Sequence, residues 1–214
     1  MPCSFSRVFV LICLVAGASE AAPLDPNNIL VALKQEVREY TPAGGLVQTI
    51  PFNYGGREYP YCCPSAEELH GIVVDQYGWL DSFNGTWYPF MTRYSPDSEA
   101  FVHKTFPDWS ATGSTYSGHL TTWNNFVFAA DAGPNRGIVR FDLFDDTAAR
   151  FLSGRYFIDV KAGLDGKLYA LSSSTADIYV YDPSNMQQLG YFAKPPTIAW
   201  MIALAVDQSG RLFV

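Results

Sequence analysis

The sequence predicts an all-β chain, a β-propeller of four-stranded blades that is incomplete, with about four blades, open or truncated. Three observations carry this. Short apolar and aromatic runs are separated by turn residues, the same turn peptide recurs at a long fixed period, and a second marker recurs in step with it. The stretch from Asp165 to Phe192 shows the pattern in miniature. Leu168 to Leu171 and Ile178 to Tyr181 are rich in Leu, Tyr, Ile and Val, which suit a pleated, half-buried surface. Asp165-Gly166 is a turn pair, because Gly accepts the positive φ of a tight hairpin and Asp bonds nearby backbone. Pro183, in Asp182-Pro183-Ser184-Asn185, has no donor and should end its strand at Tyr181 or Asp182. Helical periodicity fits poorly, since the apolar runs are short and often broken.

The repeat follows from aligning the turn glycines. Val206-Asp207-Gln208-Ser209-Gly210-Arg211-Leu212 copies the hairpin at Gly166, 44 residues on. Val74-Asp75-Gln76-Tyr77-Gly78-Trp79-Leu80 copies it 88 residues before, twice that spacing. Between them, Trp123-Asn124-Asn125-Phe126-Val127-Phe128 puts Asn125 in the Gly place, as a residue tolerant of the left-handed region can be. Asn27-Asn28-Ile29-Leu30-Val31 is an N-terminal copy. An aromatic follows each hairpin at 12 to 16 residues: Tyr40, Tyr94, Phe141 and Tyr181. Roughly 40–50 residues per four-stranded unit is the period of a propeller blade. A β-sandwich also spaces short strands closely, but has no reason to repeat one turn peptide at a long period.

Val-Asp-Gln-x-Gly-x-Leu, found twice, and His70-Gly71-Ile72-Val73-Val74-Asp75 resemble the start of a blade in NHL-type propellers. They are also similar to secreted repeat proteins and to gluconolactonase-like propellers. The resemblance covers about Asn27 to Val214 and implies the fold; propellers host hydrolases, lyases and plain binding scaffolds alike, so it implies no single activity. The units are irregular in length, and Val214 falls inside what should be the first strand pair of a fifth unit. The chain therefore reads as a C-terminally truncated propeller domain over 27–214, a fragment or the product of a truncated gene.

Ahead of it, residues 1–22 read as a secretory signal peptide. Arg7 supplies the positive segment, Val8 to Ala16 the apolar core, and Ala16-Gly17-Ala18 or Ser19-Glu20-Ala21 the small residues for cleavage. That core is too short to span a bilayer and no other long apolar run exists, so a secreted protein, extracellular or periplasmic, without a membrane span is expected. Net charge is −7 and no basic cluster exists to neutralise phosphates, which excludes a nucleic-acid surface. Aromatics at 15% and charged residues at 16% fit a compact extracellular all-β domain.

Of four cysteines, Cys3 and Cys13 leave with the signal. Cys62 and Cys63 remain, adjacent. Three states stay open for them: a strained vicinal disulfide, bonds to partners outside this chain, or free thiols. No Cys-x-x-Cys or paired-His spacing points to zinc. Vicinal bonds occur in some quinoprotein propellers, a resemblance of one dipeptide. The insertion from Asn53 to Glu68 is a surface loop of the kind that carries function; a second insertion, from Pro107 to Gly118 with Asp108-Trp109, reads first as a plain loop between blades. Asn84-Gly85-Thr86 is a glycosylation sequon that reads equally as a hairpin turn.

Catalysis needs converging groups. His70 is the best channel-facing ligand or base, at the start of an inner strand. Its repeat equivalents, Ser117, Ile158 and Ile202, are not ligands, and His119 does not fall on that register. One His does not make an axial metal site, so no cofactor and no metal ligand set is expected; calcium on Asp and backbone oxygens stays open. Asp75, Asp165 and Asp207 recur at one turn and are expected to bond their own hairpins. His103 reads as a solvated strand residue. No Gly-x-Ser-x-Gly and no phosphate loop occur. Trp79, Trp87, Tyr88, Trp109, Trp123 and Trp200 could stack sugars but more often pack between blades. The function expected is a binding scaffold for a protein or glycan on the loop face, with His70, Asp75, Trp109 and His119 as candidate binding residues and no chemistry of its own. The alternative is a metal-dependent hydrolase or lyase of the lactonase kind with its site in the propeller channel.

Overall fold

The computed structural model describes residues 23–33, 36–52, 69–84, 90–104, 119–131, 136–197, 201, 203–207 and 209–214. The signal segment, both long insertions with Cys62, Cys63 and Trp109, and Trp87, Tyr88 and Trp200 lie outside the described residues. The side chains of His70 and His103 also lie outside them.

Every element among the described residues is a strand, and they form an open, incomplete propeller. Blade 1 holds β1 (Ile29–Leu33), β2 (Glu36–Tyr40) and β3 (Leu46–Pro51). Blade 2 runs β4 (Leu69–Val74), β5 (Leu80–Asn84), β6 (Phe90–Ser95), β7 (Ala100–Lys104). Blade 3 runs β8 (Leu120–Trp123), β9 (Phe126–Asp131), β10 (Gly137–Asp142), β11 (Thr147–Phe151). Blade 4 runs β12 (Phe157–Ala162), β13 (Leu168–Ser172), β14 (Ile178–Tyr181), β15 (Gln188–Phe192), and blade 5 begins with β16 (Ala205–Val206) and β17 (Leu212–Phe213). Each blade is an antiparallel meander.

The turns form where the sequence places them. The amide of Asp75 donates to the carbonyl of Trp79 at 2.9 Å, and that of Gly78 to the carbonyl of Asp75 at 3.0 Å. Asp207, Arg211 and Gly210 repeat this geometry, and so do Gly163, Lys167 and Gly166. Gly78, Gly166 and Gly210 sit at φ of 77°, 75° and 80°, open to glycine without strain. Two details differ from expectation. The place of Asp75 and Asp207 is taken in blade 4 by Gly163, so Asp165 stands two positions further along the turn. In blade 3 the connection is shorter, because Trp123 pairs directly with Phe126 and the left-handed residue is Asn124 (φ 49°), not Asn125.

The aromatic marker is the rung opposite the core residue of the second strand. Leu80 pairs with Tyr94, Val127 with Phe141 and Leu168 with Tyr181. These six side chains are buried between blades. In blade 1 the same rung pairs Leu30 with Glu39, and Tyr40 is one place along. Glu39 is fully buried there and accepts from the Asp25 amide (3.0 Å), Asn28 Nδ2 (2.7 Å) and Gln48 Nε2 (2.6 Å), which satisfies its charge. The amide of Asn28 donates to the carbonyl of Asp25, the bond that elsewhere joins a first strand to a second. Blade 1 among the described residues is therefore the second to fourth strands of a blade.

Three apolar clusters fill the gaps between sheets. One spans blades 1 to 3 around Val37, Leu80, Tyr94, Val127 and Phe141; one joins blades 3 and 4 around Phe128, Phe157 and Tyr181; one joins blades 4 and 5 around Ile178 and Leu204. β13 is buried on both faces, which explains its unbroken apolar run, whereas outer β15 is largely exposed. First strands touch first strands: β4 packs on β8, β8 on β12 and β12 on β16. They line the axis.

Candidate binding face

The inner strands carry the polar groups nearest the axis. Their register follows from pairing. Gly71 pairs with Phe83 and Asp159 with Leu171, each one residue past a bulge, at His70 in β4 and Ile158 in β12. Bulges of this kind re-aim neighbouring side chains. In blade 3 the amide of Ala130 donates to the carbonyl of His119 at 3.4 Å, and Leu120 pairs with Ala129. His119 therefore shares its rung with Gly71 and Asp159 and stands one place from that of His70. That offset faces His119 toward the neighbouring inner strand.

Asp159 is fully buried. Its Oδ2 accepts the Leu204 amide of the next blade at 2.6 Å, and its Oδ1 accepts the Val160 amide at 2.7 Å. Lys161 Nζ lies 3.2 Å and His119 Nδ1 3.5 Å from Oδ1. Lys161 Nζ also reaches the Leu120 carbonyl at 3.4 Å, and Thr121 Oγ1 accepts the Ala162 amide at 2.9 Å. One carboxylate thus ties three consecutive blades. The His119 side chain remains 41% exposed and that of Lys161 27%, so both stay partly open to solvent.

Topology fixes which face this is. The connections 53–68 and 105–118 each run from an outer strand into the start of the next inner strand, β4 and β8. Both join the sheet at the end where His119 and Asp159 stand.

Asp75 lies at the other end of β4. From His70 it is about 16 Å along an extended strand, so the two cannot share one site. Asp75 is buried; its Oδ1 accepts the Tyr77 (2.8 Å) and Trp79 (3.0 Å) amides, and its Oδ2 meets Arg93 Nη2 at 2.5 Å. Arg93 also pairs with Asp81 at 2.9 Å and lies 4.8 Å over the Trp79 ring. Two buried carboxylates therefore share one guanidinium, and Asp81 Oδ2 has no hydrogen-bond partner among the described residues. Burial, countered by Arg93 and reinforced by Asp75, pushes the Asp81 carboxyl up to about 7. Gln76 Nε2 and Tyr77 Oη both donate to Asn125 Oδ1, stitching this turn to blade 3. Asp165 and Asp207 bond their own turns; Ser209 and Arg211 hold the Asp207 carboxyl down to about 2. Trp123 stacks on Phe126 at 6.3 Å.

Sequence reasoning missed Asp159, Lys161, Asp81 and Arg93. Asp159 and Lys161 did leave a signal: charges in the middle of an inner-strand run, Phe157-Ile158-Asp159-Val160-Lys161. Among the described residues no group of three or more His, Cys, Asp or Glu is placed to hold a metal ion. Among them, too, no helix is long and apolar enough to cross a membrane.

No protein-family model matches this chain, and no curated protein does. Solved structures do. A streptogramin B lyase structure aligns with TM-score 0.64 at 13% identity, over 87% of this chain and 57% of that one. Virginiamycin B lyase from Staphylococcus aureus gives 0.59 at 14%, over 80% and 53%. The β-propeller domain of a Myceliophteria thermophila protein gives 0.60 at 12%, over 87% and 57%. The chain spans a little over half the length of these structures. At such identities they show the propeller fold, and they include both lyases and a domain of no stated activity.

Proposed function

We propose that this chain is part of a secreted β-propeller that binds a protein or glycan partner on the face where its inner strands begin. The observation that supports this most directly is the placing of the partly exposed His119 and Lys161 together over buried Asp159, where the inner strands begin. Loops mounted on a rigid sheet are the usual carriers of recognition. Asp159 is fully used by backbone amides and Lys161, so it holds the site and does not contact the partner. His119→Ala with Lys161→Ala tests the reading against a panel of immobilised glycans and secreted proteins. Binding by the parent chain that the double variant loses while keeping its β-sheet circular dichroism is the expected result, at a lowered melting temperature because buried Asp159 is left without its cations. Binding that survives unchanged sends the site elsewhere.

A second reading, acid–base chemistry of the lyase kind, is favoured by one observation: a half-exposed imidazole beside a buried carboxylate, an arrangement that can orient a general base. A calcium or zinc titration of the melting temperature, with lactone and lyase turnover assays, separates the two. A concentration-dependent rise together with turnover abolished by His119→Ala supports the second reading.

A further inference from the structure

A second polar pocket lies between blades 3 and 4, a cavity of about 310 Å³ whose lining includes Arg136, Arg155, Tyr156, Tyr179, Ser172 and Ser174. Its walls are Arg136 just before β10, the connection from β11 to β12 and the β13–β14 hairpin. These lie at the same end of the sheets as the start of β8 and β12, so the pocket opens on the face assigned above. The amide of Ser173 donates to the carbonyl of Tyr156 at 2.9 Å and fastens two of these walls together.

The chemistry of the lining is unlike the rest of a chain of net charge −7. Arg136 lies 5.2 Å over the Tyr156 ring and Arg155 5.2 Å over the Tyr179 ring. Arg155 Nη1 donates to Tyr181 Oη at 2.9 Å and Gln188 Oε1 at 3.2 Å, both neutral acceptors. Neither guanidinium pairs with a carboxylate among the described residues, although Arg38, Arg93, Arg150 and Arg211 each do. The nearby carboxylate, Asp131, pairs with Arg150 at 2.6 Å, and that arginine also donates to the Arg136 carbonyl at 2.8 Å. Ser172 and Ser174 place their hydroxyls 3.0 Å apart on the opposite wall.

We propose that this pocket binds an acidic sugar unit, a carboxylate on a hydroxylated ring, free or at the end of a glycan chain. The two planar guanidinium forks match a carboxylate bidentately, and resting on tyrosine rings they are held in place for it. The serine pair supplies both donor and acceptor for ring hydroxyls. The volume sits at the small end of ligand cavities, which suits a unit of this size. The proposal rests on the loop-face reading only for its location and uses none of the His119 residues.

The test is calorimetric titration of the whole chain with galacturonate, with a short galacturonate oligomer and with neutral galactose, at two salt concentrations. The expected result is binding of the acid forms, weaker at higher salt, with galactose at least tenfold weaker, on the order expected from one charge-assisted contact. Tighter binding of the oligomer than of galacturonate assigns the source to a glycan chain; equal binding assigns it to the free sugar acid. Arg136→Gln, on an exposed turn, should lose about tenfold, and Ser174→Ala a smaller factor, both at unchanged melting temperature. His119→Ala should bind galacturonate like the parent, so failure here is distinguishable from failure of the channel site. Absence of acid binding, equal binding of galactose, displacement by an equal concentration of inorganic phosphate, or an indifferent Arg136→Gln variant would overturn the proposal.

Discussion

Two buried carboxylate sites, one at each end of the inner strands, use the same ingredients and wire them differently. At the His119 end, Asp159 spends its oxygens on two backbone amides, and Lys161 and His119 stand beside it. At the opposite end, Asp75 and Asp81 divide a single Arg93, and one Asp81 oxygen is left without a partner among the described residues. The first arrangement is satisfied at every atom and crosses three blades. The second stays within blade 2 and carries a carboxylate more than its arginine neutralises. The difference teaches that burial of a charge is stabilising or costly according to how completely its lone pairs are met.

The largest effect expected is at Asp159. Asp159→Ala removes the acceptor of the Leu204 amide and leaves Lys161 beside an empty place, and should cost about 3–5 kcal/mol in urea unfolding. Asp159→Asn keeps the shape but sets an amide donor against a donor, and should cost about 2–3 kcal/mol. If neither variant loses more than a surface substitution would, Asp159 does not tie the blades.

Asp81 should behave in the opposite sense. Its folded-state pKa is about 7 against an ordinary value of 3.8, so the fold holds a proton that the unfolded chain has released. The stability this contributes is fully present below about pH 4, declines as pH rises, and is gone once pH passes about 7. Asp81→Asn should abolish that slope and be more stable than the parent at pH 8 by about 1 kcal/mol, the scale of an orphaned buried acceptor. Stability curves from pH 4 to 8 measure both. A parent curve that rises with pH through this window would exclude the assignment.

The smallest effect sharpens the turn end. Gly78 has a φ of 77° and open space where a Cβ would stand, so Gly78→Ala meets backbone strain alone. It should cost about 1 kcal/mol, read as a modest fall in melting temperature.

What the sequence disclosed divides along the same line. The blade period was legible because each hairpin needs its own local chemistry: a left-handed glycine, an Asp to cap the turn, a proline to stop the strand at Tyr181. The core rungs, Leu80 with Tyr94 and Leu168 with Tyr181, were visible as markers in step. The exceptions arise where a nonlocal partner outweighs the local rule. Glu39 takes an aromatic's rung because three donors distant in sequence meet it. The site was less legible. His119 was found, but not its place on the rung of Asp159, which depends on a bulge at Ile158, and bulges leave no mark in a run of six residues. Asp81 and Arg93 meet across a strand pair, and the sequence alone does not say which charges pair.

The most direct test compares Asp159→Asn and Asp81→Asn side by side in urea at pH 8. The wiring described here predicts opposite signs, Asp159→Asn losing stability and Asp81→Asn gaining it. Losses of similar size in both would mean that the two carboxylates are held alike, and would contradict the account.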